Sequence, residues 1–376
     1  MERAEPTAPG APPVQEVLGN LVGGLRAAIL PVVAVVAALA IGAVIIAISG
    51  ADPLQAYAAL LEGAVGRSRA IERTLEKATP LIFGGLAVAL AFRGGLFNIG
   101  AQGQLIFGAI FAAFAGFAIT GLPAAVHIPL ALLVGALMGA LWGAIPGVLK
   151  AYTGAHEVIT TIMLNFVALN LTDWLADGPW KDRSPGNIVA RTPAVADSAV
   201  LPTVGIVPLG VVLALLVALL VWWVIWRTTL GFELRTVGLN PSAALYAGIS
   251  TRWVTVLAMV TSGFLAGLGG AVETLGVVGR FQPGFNVGLG FTAITIALLG
   301  RTHPLGVIPA ALLIGAMQAG ASRMQFDAGV SPEIIDVVQA LILFFVAADV
   351  IIRRLLRLRV TERERVALSR GWGQQA

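Results

Sequence analysis

Ten runs of apolar residues are spaced along the chain, at 27–49, 80–92, 99–120, 129–149, 158–175, 207–226, 253–278, 288–299, 305–321 and 334–352. A helix needs about twenty apolar residues to cross the hydrocarbon of a bilayer. Each run therefore predicts a crossing, with 80–92 and 288–299 short for the task. Polar residues gather between the runs. The stretch 50–77 sets Arg67, Arg69, Arg73 and Lys77 against Glu62, Glu72 and Glu76. Further polar connections occupy 176–205 and 227–252. The pattern predicts an all-α polytopic membrane protein of about ten transmembrane helices, since helices satisfy their own backbone groups in lipid. It divides into an N-terminal tail (1–25, with a Pro- and Ala-rich start at 1–13), a transmembrane domain (26–352) holding a polar region at 227–252, and a basic tail (353–376).

Both short runs adjoin a glycine-rich break. The first ends in Arg93-Gly94-Gly95-Leu96-Phe97-Asn98-Ile99-Gly100, and the second follows Pro283-Gly284-Phe285-Asn286-Val287-Gly288. Phe-Asn-Ile/Val-Gly thus occurs twice, opening helices expected to run in opposite directions. That is the signature of an inverted repeat whose broken helices line a path. Each Asn is placed to cap the helix behind it. The alternative, ordinary capping repeated by chance in a chain with 45 glycines, stays open at this level.

Composition supports lipid as the solvent. Of 376 residues, 57% are hydrophobic and 12% charged, with mean hydropathy +0.89, whereas a soluble domain carries about a quarter charged residues. The absence of cysteine excludes disulfides and thiolate chemistry, and His127, His156 and His303 are scattered. The net charge of +4 and pI near 9.9 follow from basic residues collecting on cytoplasmic loops, so nucleic acid is not an expected partner. Arg353, Arg354, Arg357, Arg359, Arg363 and Arg365 crowd behind the last run and predict a cytoplasmic C-terminus. Counting back puts Arg301, Arg227, Arg235, Arg252, Lys150, Arg93 and Arg26 on the same side, with both termini inside. The first run is too long for a cleavable signal and lacks a small-residue cleavage site.

No G-x-x-x-x-G-K-[ST], HExxH or GxSxG motif is present, so neither a P-loop nor hydrolase chemistry is expected of this chain. Glu273 is the main titratable group within the runs, close to Gly263, Gly267, Gly269 and Gly270. A carboxylate there either faces a path or sits at the outer headgroup level, and the glycines suit close helix packing. Asn98, Gln102, Asn165 and Asn286 lie in or beside the runs. An unpaired amide in hydrocarbon costs several kcal/mol, so these side chains are expected to face the bundle interior. Stabilising a helix break accounts for Asn98 and Asn286. Gln102 and Asn165 show no such local duty and are the favoured path-lining residues.

The polar region holds Arg227-Thr228-Thr229-Leu230-Gly231-Phe232-Glu233-Leu234-Arg235-Thr236-Val237-Gly238-Leu239-Asn240-Pro241-Ser242-Ala243-Ala244-Leu245-Tyr246-Ala247-Gly248. Asn240 reads as an N-cap, Pro241 as the first helical residue and Gly248 as the stop. A short helix of small residues fits a groove on another protein, or serves as a plain connector.

This segment resembles the cytoplasmic coupling region of ABC importer permeases of the ribose, branched-chain amino acid and nucleoside group. Leu96-Phe97-Asn98-Ile99-Gly100-Ala101-Gln102-Gly103-Gln104 is similar to that group's first-half signature, in the form typical of nucleoside (simple-sugar) importers. Ala155-His156-Glu157-Val158-Ile159-Thr160-Thr161-Ile162-Met163-Leu164-Asn165 and Gly290-Phe291-Thr292-Ala293-Ile294-Thr295-Ile296-Ala297-Leu298-Leu299-Gly300 resemble the same subgroup. The resemblance covers roughly 80–347, and Gln102 stands where many members carry Glu. It implies a transport subunit without enzymatic activity, in a bacterial or archaeal cell membrane. Its partners would be a second permease, a cytoplasmic ATPase carrying ATP and Mg, and an external substrate-binding lipoprotein. Substrate would pass Asn98, Gln102, Asn165, Glu273 and Asn286 by alternating access, and polar amides suit a neutral cargo such as a nucleoside. Gly231, Glu233, Arg235, Asn240, Pro241, Ala243, Ala244, Ala247 and Gly248 would form the ATPase coupling surface. The alternatives are a simple-sugar cargo such as ribose, an ion-coupled secondary transporter, and a membrane-embedded enzyme.

Overall fold

The computed structural model describes residues 14–285 and 288–347, with side chains described from residue 31 onward. Its helices are α1 (Val14–Ile48), α2 (Pro53–Val65), α3 (Ser68–Arg93), α4 (Ala101–Ala118), α5 (Ala124–Thr153), α6 (Glu157–Asp177), α7 (Leu209–Arg227), α8 (Thr229–Leu239), α9 (Pro241–Tyr246), α10 (Thr251–Glu273), α11 (Leu289–Leu299), α12 (Pro304–Ala328) and α13 (Glu333–Ala347). One π turn, Thr274–Val278, extends α10, and a two-residue-stranded hairpin pairs Thr203–Val204 with Val207–Pro208. Eight of the described helices are long and apolar enough to cross a membrane. The short α11 and the apolar α13 complete the correspondence with the ten runs. The end of the last run and the basic tail lie outside the described residues.

Three boundaries differ from the sequence reading. First, α1 begins at Val14, ahead of the expected tail boundary. Second, the polar stretch 50–77 is helical. Asp52 caps α2, accepting from the Leu54 N–H at 2.8 Å, and Pro53 supplies its first residue. Ala56, Leu60 and Ala64 turn inward, and Glu62 pairs with Arg323 of α12 at 2.9 Å. Third, the run at 80–92 is not short, because α3 starts at Ser68 and passes through Pro80. A hydropathy window misses these helices, since their charges sit on one side while caps and small buried residues make the other.

α3 is the central helix, buried continuously from Ala78 to Ala91. α10 lies between it and α5, and glycines permit both contacts. A Cβ on Gly139 would stand 2.5 Å from the Gly263 carbonyl oxygen, one on Gly143 2.5 Å from that of Met259, and one on Gly267 2.6 Å from that of Gly135. On the other side, a Cβ on Gly269 would meet the Phe83 Cβ at 2.7 Å. Gly135, Gly139, Gly143 and Gly147 recur every fourth residue, which puts them on one face of α5. Small residues at such spacing let membrane helices approach until their backbones touch. Lysine and glutamate then close the α5–α6 turn, where Lys150 Nζ lies 2.9 Å from Glu157 Oε2.

Gly267→Val is expected to destabilise the purified chain by about 1–3 kcal/mol, the usual range for overpacking. Thermal unfolding followed by size-exclusion chromatography measures it. Gly276→Ala is the control, since its added Cβ would meet nothing nearer than 3.6 Å.

Candidate functional site

The break between α3 and α4 is built from local backbone chemistry. Gly95 takes a left-handed conformation (φ +74). The Leu96 N–H then donates back to the Ala91 carbonyl at 3.0 Å, and the Gly95 N–H to that of Phe92 at 3.1 Å. This is the paired bonding of a Schellman stop, which a side chain at Gly95 would strain. The chain turns over 96–100 and re-enters as α4.

Asn98 is fully buried at this turn. Its Oδ1 accepts from the Gly100 N–H at 3.0 Å, and its Nδ2 donates to Gln104 Oε1 at 2.8 Å and Ser262 Oγ at 2.7 Å. Ser262 Oγ donates in turn to the Ala87 carbonyl at 2.7 Å. Asn98 is therefore not the N-cap of α4. That position is Gly100, which has no capping side chain.

The capping comes from elsewhere in the fold. Asn165 of α6 accepts from the Gly103 N–H at 2.8 Å and donates to the Ile99 carbonyl at 2.9 Å. Gln102 Oε1 accepts from the Gly290 N–H at 2.6 Å. Gly103 and Gly290 lie in the first turns of α4 and α11, where helix N–H groups have no intrahelical partner. Gln102 and Asn165 thus have the local duty that the sequence did not reveal, each acting as a tertiary cap of a helix start. Close approach of Gly290 to the Gln102 backbone leaves no space for a Cβ there.

Glu273 and Asn286 are the two remaining path candidates. Glu273 is buried at the end of α10, eleven residues beyond Ser262, or about 16 Å along the helix axis. It borders a narrow crevice with Glu76, Thr79, Leu201 and Val277. Asn286 and Val287 lie outside the described residues. The flanking positions of the two repeated motifs differ. Phe97 is exposed and Phe285 buried, while Gly100 has φ −77 and Gly288 φ +91.

At the other candidate surface, the short helix forms as its caps dictate. Asn240 Oδ1 accepts from the Ala243 N–H at 3.0 Å, Pro241 begins α9, and Gly248 exits with φ +79. Ala243, Ala247 and Gly248 are exposed. Ala244, expected on the docking surface, is instead fully buried. Gly231 is buried against the carbonyls of Val224 and Ile225. Arg235 turns inward, its guanidinium carbon 4.6 Å from the Trp226 ring centroid, while Glu233 is half-buried. The large apolar residues that project at α9 are Leu239, Leu245 and Tyr246, the last 93% exposed, while Leu230 and Phe232 are exposed on α8. The sequence reading named the small residues of this segment and not these large apolar ones, which stand out within its polar surroundings. Ser262 carried no sequence signal at all.

Removing one tertiary cap orphans a buried donor, at a cost of about 1–3 kcal/mol. Asn165→Leu and Gln102→Leu are each expected to lower the thermal unfolding temperature of the purified chain. Unchanged stability in both would show that these bonds do not hold the helix starts.

Residues 70–347 match the family described as branched-chain amino acid transport system / permease component. The guanosine ABC transporter permease protein NupP of Bacillus subtilis is 41% identical over 86% of this chain and 94% of its own. The nucleoside ABC transporter permease protein NupB of Lactococcus lactis is 37% identical over 88% and 93%. The glucose ABC transporter permease protein TsgB13 of Haloferax volcanii is 36% identical over 86% and 88%. No solved structure matches the chain.

Proposed function

The chain belongs to the branched-chain amino acid transport system / permease component family, and on that premise we propose that it is the membrane-spanning permease subunit of an ABC importer for nucleosides. The observation that carries the cargo class is the similarity to a guanosine permease along 86% of the chain. A simple-sugar cargo is the second reading, favoured by the glucose permease at 36% identity.

In this reading the chain binds no nucleotide. A separate ATPase holds ATP and Mg, and its closure moves α9 at the cytoplasmic face. A second permease completes the pathway, and an external binding lipoprotein delivers substrate. Both termini face the cytoplasm. Substrate passes near the amide-lined break of Asn98, Gln102 and Asn165, with Glu273 toward the outer end and Asn286 at the second motif. The amides supply donors and acceptors without charge, as a neutral nucleoside requires. Their bonds to helix starts make the path sensitive to any movement of α4 against α6 or α11.

The docking contact is the exposed Leu239, Leu245 and Tyr246 face. An aromatic anchor such as tyrosine is a common interface hot spot, worth about 2 kcal/mol or more. Leu245→Ala/Tyr246→Ala is expected to reduce ATPase copurification about thirtyfold while membrane insertion is kept. Wild-type copurification would overturn this docking face.

Proteoliposomes holding the assembled complex test the transport reading. Guanosine uptake should require ATP and survive collapse of ion gradients. Excess glucose should leave it unchanged. Uptake driven by an ion gradient without ATP would establish the secondary-transporter alternative.

A further inference from the structure

Between α8, the first helix break and the α11–α12 turn lies a cluster of basic side chains around one indole. Arg93 ends α3, Trp226 lies at the end of α7, Arg235 is on α8, and Arg301, Thr302 and His303 form the turn from α11 to α12. Arg93 Nε donates to the Thr302 carbonyl at 2.9 Å, and its Nη2 to that of Arg301 at 3.4 Å. The guanidinium carbons of Arg93 and Arg235 stand 5.4 Å and 4.6 Å from the Trp226 ring centroid. The His303 ring stacks on the same indole at 6.0 Å. Burial, then the charge of Arg93, holds the imidazole below its usual pKa.

The turn that Arg93 grips is strained. Arg301 (φ 55) and Thr302 (φ 51) are the only non-glycine residues with positive φ among the described residues. For β-branched threonine this conformation is an outlier, held only where its surroundings over-determine it. Charge-assisted bonds from a planar guanidinium to two successive carbonyls supply that determination.

The same arginine lies where α8 meets the first break. A Cβ on Gly238 would stand 2.8 Å from the Gly95 N, with the Arg93 carbonyl nearer still, and one on Gly94 2.8 Å from Leu234 Cδ1. Backbone therefore rests on backbone at Gly95 and Gly238, and movement of α8 cannot be absorbed by side-chain rotation.

We propose that Arg93 is a positioning residue that ties the α8–α9 region to the first helix break and to the α11–α12 turn, so that displacement of α8 moves the start of α4 and that turn together. The inference deepens the ABC-permease reading and rests on it for its use in transport, while the mechanical connection stands on this chain alone.

Two measurements separate these. In the purified full chain, hydrogen–deuterium exchange reads the connection. Arg235→Gln, a change in α8, should speed exchange at 93–100 and 300–307 about tenfold, a typical coupling between sites, and leave α5 unchanged. Faster exchange confined to α8 would overturn the connection. In the reconstituted complex, the readout is guanosine delivered per ATP hydrolysed. Arg93→Gln and Arg235→Gln should each lower that ratio about tenfold. Arg93→Lys should recover part of it, since an ammonium reaches one carbonyl but cannot stack and bridge both. Arg227→Gln is the control, because Arg227 is exposed and stacks only on Trp222 among the described contacts.

A wild-type ratio in Arg93→Gln and Arg235→Gln, or an equal fall in Arg227→Gln, would overturn the coupling role. Should Arg93→Gln fail to assemble, Arg235→Gln decides alone. A wild-type complex without ATP-dependent uptake would instead refute the transport reading, and the exchange data would still decide the connection.

Discussion

The contact of α10 with α5 and α3 is the constraint on which the rest of the bundle depends. Apolar side chains gain little by leaving lipid for one another, so association in a membrane relies on close packing and hydrogen bonds. Glycines at 135, 139 and 143 meet Gly263 and Gly267 with backbone against backbone, which brings the largest number of atoms within dispersion range. On its opposite face α10 takes Phe83 beside Gly269. A helix gripped on both sides in this way has one allowed rotation. That rotation directs Ser262 at Asn98 and the Ala87 carbonyl.

The helix breaks are tolerable because of that packing. Stopping a helix inside a bundle strands backbone donors and acceptors, each costly away from water. At α4 and α11 the stranded N–H groups are met by Asn165 and Gln102, which reach across from other elements. Neither helix start has a side-chain cap of its own. Their conformations are thus conditional on neighbours. A self-capped helix start would be indifferent to the movement of α6 or α4.

The α8–α9 region is held by different physics. α9 is self-capped by Asn240 and anchored by buried Ala244, leaving Leu245 and Tyr246 outward. α8 is pinned by Leu234 and Gly238 on the glycines of the first break. Electrostatics and stacking around Trp226 then join that break to the α11–α12 turn. A rigid, capped unit seated on glycine backbone transmits displacement where a loop would dissipate it.

Much was legible in the sequence. The number and order of apolar helices follow from runs long enough to satisfy hydrocarbon, and the α9 boundaries follow from Asn240, Pro241 and Gly248 acting within a few residues of themselves. The break after Arg93 was visible in its glycines. The helical character of 50–77 was not read, because hydropathy averages away an amphipathic pattern. The partners of Gln102 and Asn165, the burial of Ala244 and the recruitment of Ser262 and Arg93 were not accessible to sequence reasoning. Asn165 lies 62 residues from Gly103 and Gln102 188 residues from Gly290, and no local rule pairs them. The sequence by itself determined where the apolar helices lie and where the chain can turn, because those are short-range matters of hydropathy, capping and φ. Only the tertiary structure decided what each buried polar group bonds to, because that depends on which glycine faces let which helices touch.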